Sequence, residues 1–273
     1  MYPVLFHLGE FAVRSYAFML ALAFLSGMYF TAWRAKQRNL QQSVVYDAGF
    51  YIVLSGMFGA RLMYVLQHLP EFQDNISSIF NPFVGSTVGI EGFSLFGGAA
   101  GAFGAALLFF RLKKIPILPY ADAAAPSSGL IIFFMKTGCF LNGCCYGVPV
   151  QGNLGVSFPE TSPAGQYQLY IQASQLFPVQ LLHAFAGILL FIASLVAGRK
   201  TVFTGFELYL AGLLYSLMRF FLDFFREYPV QNQFVSLSYN QLVCILLFVL
   251  FTALLSHGAY RLRQIASTNL VKE

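Results

Sequence analysis

The sequence predicts an all-α polytopic membrane protein with seven transmembrane helices, its N-terminus outside and its C-terminus in the cytoplasm. Three observations carry that prediction. Of 273 residues, 58% are hydrophobic and only 10% are charged, against about 25% charged in soluble domains. So little charge cannot clothe a water-facing surface. Apolar runs recur that approach or exceed the roughly 20 residues needed to cross a hydrocarbon core. Lys and Arg gather in alternate connections between those runs, so the net charge of +5 is read as topology and not as a nucleic-acid surface.

The spans fall at about 13–33, 44–66, 93–110, 121–143, 180–197, 205–225 and 238–259. No Lys or Arg precedes Arg14, so the first run lacks the basic leader of a cleavable signal and is expected to remain as a span. The third run is short and rich in glycine (Gly97, Gly98, Gly101, Gly104), the pattern of close helix packing. Asp122 and Glu207 stand near the cytoplasmic starts of the fourth and sixth spans, where a carboxylate suits the positive end of the helix dipole. Cys244 in the last span reads as core. With no internal repeat and no low-complexity tract, residues 1–273 are expected to form one membrane domain. The 36-residue connection 144–179 holds Pro149, Pro159, Pro163 and Pro178 with Tyr146, Tyr167 and Tyr170. A connection this long is usually functional or disordered. It is expected on the outer surface, as an access gate or as a passive aromatic belt.

Orientation follows from the basic residues. Connections 34–43, 111–120 and 198–204 and the C-terminal tail hold 11 of the 16 Lys and Arg, while 67–92 and 144–179 hold none. The positive-inside bias therefore places the N-terminus outside. The five cations left over, Arg14, Arg61, Lys136, Arg219 and Arg226, all fall in the outer half of the membrane or at its edge. A charge at the bilayer centre costs at least about 2.5–3.5 kcal/mol on insertion scales. Ion pairs with Asp223 or Glu227 account for some of them, and Asp223 is expected to pair with one arginine. An anionic ligand at the outer leaflet accounts for the set, and a phospholipid phosphate is the simplest such ligand.

The stretch from Phe133 to Pro149, FFMKTGCFLNGCCYGVP, concentrates the chemistry. Lys136, Cys139 and Gly143 share one helical face, and Asn142 lies beside it. Gly143 and Gly147 leave room for a backbone or a headgroup to come close. Lys136 offers a compact charge with three donors, suited to phosphate. On the sixth span Tyr215, Arg219, Asp223 and Arg226 are spaced four, four and three apart, which places them on one stripe facing the bundle interior. Cys144 and Cys145 have no partners at zinc-ligand spacing, and a buried Cys is usually a small hydrophobe. No metal and no cofactor are expected. His7 and His68 lie at outer interfaces and His257 near the inner one. His183 is the only histidine near the outer half with a place for general-base work.

These residues resemble the bacterial prolipoprotein diacylglyceryl transferase family. The resemblance rests on the run from Lys136 to Gly147, with Arg14-Ser-Tyr16, Gly59-Ala-Arg61-Leu-Met-Tyr64, Gly92 to Gly98, Pro178-Val-Gln180 and Tyr215 to Arg226 in support. It covers nearly the whole chain in order. It implies transfer of the diacylglyceryl group of phosphatidylglycerol to the lipobox cysteine thiol of a preprolipoprotein, with release of glycerol phosphate, at the outer face of the inner membrane. It implies functional positions at Tyr16, Lys136, Gly147, Arg219 and Asp223. Lys136 and Arg219 would neutralise the phosphate, Asp223 would orient Arg219, and Tyr16 would position substrate. Arg14, Arg61, Asn142, Arg226 and His183 complete the expected substrate-binding set. The sequence departs from the family pattern in five places. Lys136 and Cys139 stand where Arg and commonly Asn are usual, Cys144 where Glu is common, and Phe96 and Phe177 where His is usual. Phe cannot do acid–base work.

Two other classes stay open on the residues alone. A diverged relative could keep the anionic-lipid pocket without modifying lipoproteins. A seven-span transporter or receptor fits the topology, although internal repeats and mid-membrane polar sites of the transporter kind are not found.

Overall fold

The computed structural model describes residues 3–8, 11–72, 79, 92–200, 202–228, 233–234 and 237–270. The elements run β1 (Val4–Leu8), β2 (Phe11–Arg14), α1 (Ser15–Gln37), α2 (Gln42–Gln67), α3 (Leu69–Phe72), α4 (Leu95–Leu112), α5 (Ile117–Ala124) and α6 (Ser127–Asn142). They continue with α7 (Pro163–Ile171), α8 (Val179–Ala197), α9 (Phe206–Leu222), a 3-10 turn (Asp223–Phe225), β3 (Gln233–Phe234), β4 (Leu237–Ser238) and α10 (Tyr239–Leu270). Among the described residues the strands form two small two-stranded sheets, and the other elements are helical.

Among the described residues, five helices are long and apolar enough to span a membrane: α1, α2, α8, α9 with its 3-10 turn, and α10. α5 and α6 count as a sixth if they are taken as one span bent by 48°. α4 contributes a shorter apolar run, Phe96–Leu112. Each expected segment is thus helical, but the fourth is broken. Pro126 sits at the break. It lacks the N–H that an unbroken helix would use, and the chain restarts one residue later. Side chains left on the outside suit hydrocarbon: Leu246 is 70% and Phe103 68% exposed.

The chain forms two compact units. The first comprises Met1–Leu5, Arg14–Thr31 and Ala121–Glu273; the second comprises Phe6–Val13 and Ala32–Tyr120. In the second unit α2 packs along α4 through glycines, as the small-residue pattern predicts. A Cβ added at Gly59 would stand 2.5 Å from the carbonyl oxygen of Gly97. In the first unit α6 crosses α8 equally closely. A Cβ on Gly129 would lie 2.5 Å from the Gly187 carbonyl oxygen and from the Phe191 backbone nitrogen. That crossing sets Ile132 of α6, with Ala125 at the break before it, against Leu190 and Ala211, with Leu214, Tyr215 and Met218 packed around them.

One acid and one serine fix how two helices of this unit start. Asp122 lies in the second half of α5 and not at the start of a span. Its two carboxylate oxygens accept from the backbone nitrogens of Gly205 at 2.6 Å and Leu208 at 3.0 Å, so it caps α9 instead of its own helix. Ser238 opens α10 with a capping box: its hydroxyl accepts from the Gln241 nitrogen at 3.1 Å and its own nitrogen donates to Gln241 Oε1 at 2.8 Å. The Ser-x-x-Gln spacing carries that signal in the sequence.

Connection 144–179 is a packed element. It contains α7, capped by the Ser162 hydroxyl at 3.1 Å from the Gly165 nitrogen, and buries Phe158, Ala164 and Leu176 as a small core of its own. Backbone bridges join Gly147 to Arg226 and join both Pro149 and Val156 to Leu176.

The α6–α8 crossing makes a direct prediction. Gly129→Val, which drives a side chain into backbone, lowers thermal stability in detergent by about 1–3 kcal/mol or more. Gly104→Val, whose Cβ would meet nothing within 4 Å, leaves it within about 0.5 kcal/mol. Thermal unfolding of the two purified variants beside the parent checks the difference.

Candidate active site

The first unit gathers two polar groups of different character. One is a closed network around Asp223. The carboxylate is 3% exposed, and its Oδ1 faces Arg219 Nη2 at 3.0 Å and accepts from the Tyr228 hydroxyl at 2.7 Å. Its Oδ2 accepts from the Ser238 hydroxyl. Tyr228 in turn accepts from Arg219 Nη2 at 3.1 Å and from Asn240 Nδ2 at 2.8 Å. Burial pushes the Tyr228 phenol up to about 12, which keeps it a donor to Asp223.

Arg219 Nη1 completes the network on His183 Nε2 at 2.5 Å, while His183 Nδ1 lies 2.9 Å from the Val179 carbonyl. A guanidinium only donates and a carbonyl only accepts. The Nδ1 atom therefore carries the proton and Nε2 does not. His183, 2% exposed, is a neutral imidazole whose acceptor nitrogen is already occupied, so in this arrangement it has no atom with which to take a proton from a substrate. Its spacing in the sequence gave no sign of the arginine that fills it.

The other group is the turn that ends α6. Gly143 adopts φ +71°, and the chain closes in a Schellman motif. The Cys144 nitrogen donates to the Cys139 carbonyl at 3.0 Å and the Gly143 nitrogen to the Phe140 carbonyl at 3.2 Å. Cys145 then takes a second left-handed conformation, φ +57°, unusual for a residue with a side chain. The reversal folds Cys144 and Cys145 back over Cys139, so that all three Sγ atoms lie within 4.8 Å of one another. The sequence reading expected no such cluster. Its members become neighbours through two departures from right-handed geometry, at Gly143 and Cys145.

Cations surround these thiols. Arg226 Nη2 donates to Cys145 Sγ at 3.5 Å, and its guanidinium lies 4.6 Å from the centre of the Tyr228 ring. Its Nε is buried without a hydrogen-bond partner among the described residues. Lys136, one turn before Cys139 on α6, is half-buried and among the described residues makes no hydrogen bond or ion pair. Hydrogen bonds from the Cys139 and Cys144 thiols, reinforced by Arg226 and Lys136 against the opposing effect of burial, hold the Cys145 thiol well below the ordinary thiol range. Gln180, 1% exposed, donates from Nε2 to the Cys144 carbonyl at 2.9 Å, and its Oε1 is buried and unpartnered among the described residues.

The remaining expected residues divide as follows. Tyr16, at the start of α1, stands in electrostatic contact with Cys139, Cys144 and Cys145. Gly138 lets α1 in: a Cβ there would lie 2.8 Å from Met19 Cβ and 3.4 Å from Tyr16 Cα. The Asn142 side chain lies against the Cys144 thiol. Gly147 admits backbone, since a Cβ would stand 2.5 Å from the Phe225 carbonyl oxygen and 2.6 Å from that of Phe177. Arg226 lies off the helical stripe expected for it. α9 ends at Leu222, a 3-10 turn follows, and Arg226 is extended at φ −97° and ψ 138°. Its bridge to Gly147, not helical spacing, brings it to the thiols. Arg14 ends β2 with an exposed side chain.

Arg61 belongs to the second unit, where Nε donates to the Ile79 carbonyl at 3.0 Å and Nη1 to the Gly92 carbonyl at 3.2 Å. Phe96 is 76% exposed, and Phe177 packs on Phe225 with ring centres 5.5 Å apart. Tyr228, Ser238 and Gln180 were not expected from the sequence. Tyr167, stacked on Tyr146 at 5.0 Å, donates to Glu227 at 3.0 Å. An open groove of about 640 Å³ between α2 and α4 is lined by apolar side chains such as Leu54, Phe58 and Leu62, and offers hydrocarbon but no reacting group.

Fold and site together define a multi-pass helical membrane protein that concentrates cations and thiols at the end of an apolar helix. A family model described as prolipoprotein diacylglyceryl transferase matches residues 3–257. The phosphatidylglycerol–prolipoprotein diacylglyceryl transferase of Helicobacter pylori strain Shi470 is 31% identical over 277 residues, covering 96% of this chain and 94% of that one. A second such transferase of Clostridium perfringens strain 13 is 28% identical over 254 residues, covering 92% of each chain. That of Clostridium tetani is 28% identical over 246 residues, covering 87% of this chain and 93% of its own. The chain belongs to the prolipoprotein diacylglyceryl transferase family, a family of membrane-embedded transferases of lipoprotein biosynthesis.

Two outcomes follow from this geometry. Asp223→Ala, which strands Arg219 in the interior, destabilises by about 3–5 kcal/mol; chemical unfolding in detergent measures it. Cys145 is the first of the four cysteines to be alkylated. Its labelling persists as pH falls below the free-thiol value of about 8.5, and Arg226→Ala moves the profile upward. Site-resolved mass spectrometry across a pH series reads both effects.

Proposed function

We propose that the protein transfers the diacylglyceryl group of phosphatidylglycerol, or of a closely similar anionic phospholipid, to the lipobox cysteine of a preprolipoprotein. The reaction takes place at the outer face of the bacterial inner membrane. Residues 1–273 act as a single membrane domain, with seven spans and the N-terminus outside. The observation that carries this reading is Lys136. An ammonium on an apolar helix with no bonded partner among the described residues is costly in a membrane unless an anion comes to it. Arg226, with a buried unpartnered Nε, supplies a second donor. The relatives' names supply the substrates.

In this reading the substrate thiol, its proton released to solvent, attacks the glyceryl carbon bearing the phosphate. The C–S bond forms, the C–O bond breaks, and glycerol phosphate departs with one more negative charge than the diester carried. Lys136 and Arg226 meet that developing charge. Arg219, with three of its five N–H groups committed, acts as a fixed positive field and a brace. Asp223 holds Arg219, Tyr16 positions substrate against the thiol turn, and Asn142 and Gly147 shape its floor. Arg14 attracts the anionic headgroup.

The test uses purified protein, labelled phosphatidylglycerol and a lipobox peptide. Lys136→Ala is expected to lower thioether formation and glycerol phosphate release by about 10²–10³-fold, the scale of losing one preorganised charge donor. Arg226→Ala is expected to lower them less. Lipid binding that depends on Lys136 but yields no product would favour a lipid-binding relative without lipoprotein-modifying activity.

A further inference from the structure

We propose that Cys139, Cys144 and Cys145 bind a zinc ion whose open fourth position takes the thiol of the acceptor peptide. The proposal deepens the transferase reading and rests on it. Three protein ligands with one exchangeable position is the arrangement of catalytic zinc sites, and a thiol bound to zinc is bound as thiolate.

The geometry is close to what such a site requires. Zn–S bonds of about 2.3 Å at tetrahedral angles separate the sulfurs by about 3.8 Å, and here all three Sγ atoms already lie within 4.8 Å of one another. The closure needs shifts of roughly 1 Å or less by that comparison. The backbone has been bent to this end by two left-handed residues, Gly143 at φ +71° and Cys145 at φ +57°. A non-glycine residue held there carries a conformational cost that clusters at functional positions.

Charge balance points the same way. Three thiolates and a dication carry one net negative charge, and a fourth thiolate makes it two. Lys136 and Arg226, both in electrostatic contact with Cys145, match that pair of charges. Each remains able to donate to a phosphate beside the metal-bound sulfur.

The site also supplies what the rest of the unit withholds. The transfer needs the acceptor thiol as thiolate, yet His183 Nε2 is occupied by Arg219. Both oxygens of Asp223 are engaged, and Oε1 of Glu227 accepts from Tyr167. Metal coordination releases the thiol proton to solvent before the transfer, so no protein base is consumed. The sulfur's electron pair then forms the C–S bond as the C–O bond to phosphate breaks.

The test replaces zinc with Co(II) in the full-length protein under anaerobic, reducing conditions. A thiolate-to-cobalt charge-transfer absorption is expected at one ion per chain. Cys139→Ser, Cys144→Ser and Cys145→Ser should each weaken Co(II) affinity by more than about 100-fold, beyond the usual loss from outer-shell changes. Cys244→Ser should leave it unchanged. A lipobox peptide should intensify the absorption towards that of four thiolates, and the same peptide with Cys→Ser should not. An absorption that is absent, indifferent to the three substitutions or unmoved by the peptide overturns the proposal. So does chelator-stripped protein that forms thioether as fast as the zinc-loaded form. If both spectroscopic signatures hold and no preparation forms product from phosphatidylglycerol, the transferase reading fails and the metal–thiol site stands.

Discussion

The carboxylate of Asp223 is the interaction on which the first unit depends. A buried charge with one partner removed is worth several kcal/mol against the fold. Here it is met by Arg219, Tyr228 and Ser238 from three different segments. Through them it fixes the end of α9, the chain just beyond it and the start of α10. Through Arg219 it reaches His183 on α8. A short extended segment after α9 has little propensity to hold its place alone. This network anchors it, and so sets where Arg226 emerges.

The thiol turn depends on a second constraint, backbone handedness. α6 stops because Gly143 can take a left-handed conformation at little cost, and the Schellman bonds reward the stop by satisfying carbonyls that the helix end leaves open. A right-handed continuation would carry Cys144 and Cys145 around the helix and away from one another. The reversal instead stacks them over Cys139 and brings Gly147 beside Phe177 and Phe225, where no side chain could fit. The same turn thus shapes a reactive surface and docks the 144–179 element.

Much of this was legible in the sequence, because it follows from hydropathy and from the cost of charge in lipid. Every expected span contains a helix, and the pairing of Asp223 with an arginine could be read from i,i+4 spacing. Of the glycines of the third span, Gly97, Gly98 and Gly101 do pack against a neighbouring helix, and Gly104 does not. The failures share a cause: they lie where the chain leaves regular geometry. The stripe reading of Arg226 assumed that α9 continued past Leu222. The isolated reading of Cys144 and Cys145 assumed that sequence neighbours diverge. The reading of Asp122 as a cap for its own helix could not know that α9 begins beside it. His183 was recognised as a polar residue of interest, but its tautomer is decided by Arg219, 36 positions away, and no local pattern encodes that.

Once each polar atom in the first unit is assigned its partner, the atoms left with unused capacity mark the reactive surface better than any list of charged residues. Asp223 is filled, Tyr228 donates once and accepts twice, and His183 has both nitrogens engaged. These groups hold one another in place. Among the described residues, capacity remains on the Lys136 ammonium, on Arg226 Nε, on Gln180 Oε1, on three thiols and on Ser194 Oγ. All but Ser194, near the C-terminal end of α8, belong to, contact or electrically sense the segment from Lys136 to Gly147. An unpaired donor in low dielectric is expensive, and evolution tolerates the expense where a ligand repays it. The concentration of that cost in one turn is the physical reason for locating the chemistry there.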